Sequence, residues 1–97
     1  MKNITTRFIT VDHMKYSIHE GPKYGTCISS IHPYDETEYH WAHRRPGERY
    51  WFVYLGREIK CHLAPESGTT PLAVEEVARE LECLDRQAQL NRTGGIW

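Results

Sequence analysis

Two rhythms divide this chain. Between residues 7 and 63 apolar side chains recur mainly at every second position, and from Val74 to Ala88 they recur at every third and fourth. Neighbouring side chains on a strand face opposite ways, whereas helix positions three and four apart share a face. A chain that changes from the first rhythm to the second reads as a small antiparallel sheet covered by one long C-terminal helix, an α+β architecture. The spacing predicts one domain over 1–97, with strands over about 4–63, a connection at 64–70, a helix over about 71–90 and a flexible apolar tail at 91–97.

The strand region opens with a hairpin. RFITV (7–11) is β-branched, Met14, Tyr16 and Ile18 alternate with Lys15, Ser17 and His19, and Asp12-His13 lies between them as a tight turn. Gly21-Pro22 ends the second run, residues 27–31 form a short third strand, and 32–37 read as loop. A three-stranded meander follows. Tyr39, Trp41 and His43 alternate with Glu38, His40 and Ala42. Pro46-Gly47 suits the centre of a type II turn, because proline presets φ and glycine accepts the positive φ that follows. Residues 50–55 are the strongest strand, and Gly56-Arg57 fits a II′ hairpin with glycine at its first central position. Ile59, Cys61 and Leu63 alternate on the return strand.

Residues 64–71 are rich in breakers. Thr70 is placed to cap the helix, with Pro71 in its first turn, where a missing N–H costs nothing. Val74, Val77, Leu81, Leu84 and Ala88 make one apolar stripe. Glu75–Arg79 and Glu82–Arg86 are favourable i,i+4 pairs, each contributing about 0.2–0.5 kcal/mol. Thr93-Gly94-Gly95 is expected to stop the helix and leave Ile96-Trp97 as an apolar stub.

Composition narrows the function classes. The apolar fraction is 39% and the net charge −1. The core is therefore lean, the kind a partner often completes, and no global field draws in nucleic acid or an anionic membrane. The longest apolar run is too short to span a bilayer. The N-terminus lacks the layout of a secretory signal, and three cysteines (Cys27, Cys61, Cys83) without CxxC spacing fit reduced thiols. These features point to a cytoplasmic setting. A phosphate loop, GxSxG elbow, HExxH and paired CxxC are all missing from the sequence. His40 and His43, with Cys61-His62, have the ligand types for zinc, but residues three apart on a strand diverge. Cys61 and His62 face opposite ways for a related reason, and Cys27 and Cys83 fall on apolar patterns. We therefore expect neither catalytic residues nor a metal or cofactor, and a chain that is not an enzyme.

The richest cluster is Arg44-Arg45-Pro46-Gly47-Glu48-Arg49-Tyr50-Trp51. Arginine beside aromatics suits protein hot spots, and it also suits stacking on bases. A third reading has the aromatics in the core and the arginines solvated at the turn. The low net charge speaks against nucleic acid as a direct partner. Arg44, Arg45, Arg49 and Trp51 are the candidate contact residues. Ile96 and Trp97 join them as an apolar end that folds back on the domain or docks into a partner. Pro65, in the connection, is where a host prolyl isomerase could bind, and it equally reads as a loop-stiffening proline.

Three segments, MKNITTRFITVDHMKYSIHEG, HRRPGERYWFVYLGREIKCHL and TPLAVEEVARELECLDRQAQLNRTGGIW, hold 70 of the chain's 97 residues. In them the chain resembles the phage anti-RecBCD accessory proteins, small modulators of the host recombination nuclease. The resemblance implies binding to the host RecBCD complex, at its RecC subunit, and altered processing of DNA ends in favour of phage recombination. It carries no catalytic residues and names no contact surface, so the candidate residues above rest on composition. The alternatives are a weak single-strand nucleic-acid binder using the same hairpin, or an inhibitor of a restriction or CRISPR complex.

Overall fold

The computed structural model describes residues 4–31, 39–68 and 70–94, with side chains through Leu90. Among these residues six strands form one antiparallel sheet: β1 (Thr5–Val11), β2 (Met14–Gly21), β3 (Gly25–Ser30), β4 (His40–Arg44), β5 (Trp51–Leu55) and β6 (Glu58–Leu63). They lie side by side in chain order, β1 to β6. The helix α1 (Val74–Gly94) packs on one face, chiefly over β4, β1 and β3. The fold is thus α+β, and the hairpin and meander are parts of one continuous sheet joined through β3.

Turn chemistry sets the order. Asp12 and His13 both take positive φ, 50° and 71°, the mark of a two-residue I′ hairpin. The Glu48 N–H donates to the Arg45 carbonyl at 3.1 Å and Gly47 has φ 80°, which makes Arg45-Pro46-Gly47-Glu48 the expected type II turn. At Gly56-Arg57 only the glycine is positive, φ 65°, as a II′ turn requires. The predicted loop at 32–37 lies outside the described residues.

Strand parity then sorts the side chains. Val11, Tyr16, Ile18, Ile28, Ala42, Trp51 and Val53 face the helix and are buried against Val77, Ala78 and Leu81. Cross-strand register confirms the shared face: Ile18 pairs with Ile28, Ile28 with Ala42, Ala42 with Val53. A bulge between Val53 and Tyr54 shifts the β5–β6 pairing by one residue.

The helix begins later and ends later than its spacing predicts. Leu72 is held outside it, because its carbonyl accepts the Trp51 indole N–H at 3.0 Å and its side chain packs on the core. Thr70 and Pro71 therefore precede the helix, and Ala73 occupies the N-cap position. Its N–H donates to Glu76 Oε1 at 3.0 Å, the glutamate half of a capping box. At the other end residues 91–94 continue the helix through Gly94, which corrects the expected tail over those four residues; 95–97 lie outside the described residues. Glycine in a last turn costs only about 1 kcal/mol, too little by itself to end a helix already formed through the preceding turns. Cys83, assigned to the apolar pattern, is exposed.

Candidate functional site

The arginine cluster folds around the β4–β5 turn, and its members take unlike roles. Trp51 is 1% exposed and belongs to the core, so it is not a contact residue; strand parity points it at the helix. The Arg44 guanidinium lies 5.6 Å from the Trp51 ring centre and donates to the Glu48 carbonyl at 2.9 Å. Half-buried, Arg44 braces the turn. Arg45 is exposed and sits 5.7 Å from the Phe52 ring. Arg49 covers Tyr50 at 5.0 Å, donates to the Tyr50 hydroxyl at 2.9 Å and reaches the Gly68 carbonyl at 3.2 Å. That last bond ties the turn to the loop carrying Pro65, which is half-buried with a trans peptide bond. Tyr24 and Tyr50 are exposed at this end of the sheet, and Tyr24 stands 5.2 Å from the His43 ring. The result is a rigid rim of Arg45, Arg49, Tyr24 and Tyr50 around Pro46-Gly47. Ile96 and Trp97 lie outside the described residues.

The larger feature is the sheet face that α1 leaves open. Its pairings align two rows across all six strands. One runs Phe8, Ser17, Ser29, Trp41, Tyr54, Ile59, and the other Thr6, His19, Cys27, His43, Phe52, His62. Trp41 and Tyr54 are stacked at 4.3 Å, with the indole N–H donating to the Gly56 carbonyl at 2.9 Å. Phe52 meets His62 edge-on at 4.8 Å. Phe8 and Ile59 are largely exposed. The sequence carried a signal for this face: the run 50–55 is apolar at both parities, more than one helix can cover.

On the helix side a buried polar pair joins the layers. Asp85 Oδ1 accepts from the His40 backbone N–H at 2.8 Å and lies 2.7 Å from His40 Nδ1. Burial raises the Asp85 carboxyl above the usual range, with the bonds from His40 working against that rise. Burial, reinforced by the charge of Asp85, also pushes the Tyr16 hydroxyl up. Sequence reasoning missed this pair, because Asp85 falls inside the apolar stripe as an ordinary helix carboxylate. His43 faces the other way and bonds the Tyr24 carbonyl at 2.8 Å, so the two histidines diverge as strand parity requires. Among the described residues no group of three or more His, Cys, Asp or Glu could hold a metal ion. Burial raises the Cys27 and Cys61 thiols, which keeps them protonated and poorly nucleophilic. Among the described residues no helix is long and apolar enough to cross a membrane.

No protein-family model matches this chain, and no curated protein or solved structure matches it either.

Proposed function

We propose that the chain is a non-enzymatic, protein-binding modulator, phage-encoded, that grips the host RecBCD helicase–nuclease at RecC and changes how DNA ends are processed in the host cytoplasm. The partner's identity rests on the sequence resemblance. The observation that carries the binding mode is the rim at the β4–β5 turn. Arg45, Arg49, Tyr24 and Tyr50 are exposed there, and arginine and tyrosine dominate protein hot spots. The type II turn, the Arg44 brace and the Arg49–Gly68 bond fix the backbone before any partner arrives, which lowers the ordering cost of association. The surface works without Trp51, which supports it from beneath.

The test mixes the purified chain with purified RecBCD and follows co-elution and end resection. Stoichiometric association with altered nuclease or helicase activity is expected, and the Arg45→Ala, Arg49→Ala, Tyr50→Ala triple variant should lose it. No association, with unchanged resection, would refute RecBCD as the target and leave a restriction or CRISPR complex to be assayed with the same variants. A host prolyl isomerase belongs to this reading as a secondary partner at Pro65. Its capture should fail with Pro65→Ala.

A further inference from the structure

We infer that the open face of the sheet is a binding site for single-stranded nucleic acid, with bases stacking on Phe8 and Trp41 above a floor of serines. This goes beyond the protein-binding reading and uses other residues. In the aligned row, Ser17 and Ser29 lie between Phe8 on β1 and Trp41 on β4, their hydroxyls 3.3 Å apart. Three strand spacings of ~4.8 Å separate the two rings, about 14 Å in all. The result is a shallow trough with small polar residues along its base and an aromatic on each bank. Trp41 gives one ring face to Tyr54 on β5, which leaves its other face toward the trough. Phe8 is 61% exposed.

Charge decides the class of occupant. No Asp or Glu occupies a described strand position of this face, while Lys15 and His19 flank Ser17 on β2. The carboxylates gather elsewhere: residues 74–90 of α1 hold five against two arginines. The net charge of −1 therefore conceals an excess of three negative charges over residues 74–90, against an excess of two positive charges over the rest of the chain. A phosphate backbone meets no carboxylate at the described strand positions there. Aromatic side chains on an open sheet are the usual platform for unstacked bases, and stacking tolerates any base because each has a π face. The two rings, about 14 Å apart across the strands, are separated by roughly four times the ~3.4 Å rise per nucleotide of a stacked strand. Bases seated at that spacing are drawn apart, which a single strand permits and a duplex resists.

The test is fluorescence anisotropy of a fluorescein-labelled 15-nucleotide oligo-dT with the full chain at low salt. Saturable binding is expected, weaker as salt rises, with the matching duplex binding less well. Phe8→Ala should weaken binding roughly 5- to 150-fold, the effect of losing one base stack. Lys15→Glu should weaken it and reduce the salt slope by about 0.7 for the lost phosphate contact. Trp41→Ala also removes the indole bond to Gly56, so the exposed Phe8 and Lys15 variants are the decisive ones. No binding at low salt, duplex bound as tightly as single strand, or Phe8→Ala equal to the parent would each overturn the proposal. So would full competition by poly-glutamate, which would assign the face to an acidic protein. Phe8→Ala should retain RecBCD association, so failure here is distinct from failure of the protein-binding reading.

Discussion

At Gly25 the backbone takes φ +92°, and a Cβ built there would lie 2.2 Å from the Arg44 carbonyl oxygen. The atom it would meet is backbone, which cannot swing aside. Gly25→Ala is therefore expected to cost at least ~1–3 kcal/mol from the φ strain alone, read from urea or thermal unfolding. An unchanged midpoint would show that β3 and β4 can separate locally. Asp85 makes a second prediction, with a sign. Burial holds its carboxyl above the usual range. A group whose folded pKa exceeds its unfolded value contributes stability that is fully present below about 3.9 and is lost as pH rises through the folded value. Asp85→Asn keeps an acceptor for the His40 N–H without titrating. Melting curves from pH 3 to 7 should show the variant gaining on the parent as pH rises, and the opposite trend would mean that His40 more than offsets the burial. Asp85→Ala removes both bonds to His40 and should cost about 1–3 kcal/mol at neutral pH.

Elements separate side chains that are neighbours in sequence. Arg49, Tyr50 and Trp51 are consecutive, yet only Trp51 enters the core, where its indole N–H holds Leu72 and sets the start of α1. Trp51→Ala should thus destabilise the fold by about 3–5 kcal/mol, whereas Arg45→Ala should stay within ~0.5 kcal/mol. Chemical denaturation of the two variants checks the contrast, and comparable costs would place Arg45 in the framework instead of on the rim. The same case marks what the sequence makes legible. The turns at Asp12-His13, Pro46-Gly47 and Gly56-Arg57 follow from local backbone preferences and could be read directly. The strands and the helix stripe follow from period. The direction Trp51 faces was also set by parity, but composition grouped it with the arginines beside it. Leu72 held back from the helix, and Asp85 paired with His40 across 45 residues of chain, depend on tertiary contacts that no local spacing records. The open face was half legible: alternation shows that a sheet has two sides, and only the packing shows which one the helix covers.

Across the whole molecule, a sheet with one helix has three kinds of surface: a covered face, an open face and the rims where the turns lie. Its charge is sorted the same way, with the acid of α1 on one side and an open face lacking carboxylates at its described strand positions on the other. The excess of three negative charges over residues 74–90 is largely offset by an excess of two positive charges over the rest of the chain, which is why net charge gave no hint of an uneven charge distribution. Arg45 and Arg49 of the rim lie on the β4–β5 turn, while the trough is bounded at its far bank by Phe8 on β1, at least three strand spacings of ~4.8 Å away. Substitutions farther apart than ~7–10 Å that share no partner add within about 0.3–0.5 kcal/mol. Two independent sites therefore require a specific pattern. Arg45→Ala with Arg49→Ala should reduce RecBCD association and leave Phe8-dependent oligonucleotide binding within about twofold of the parent, and Phe8→Ala should do the reverse. The combined variant should show each loss at its separate size. If instead either change weakens both associations equally, the rim and the trough are one continuous surface, and a single partner spans the end of the sheet.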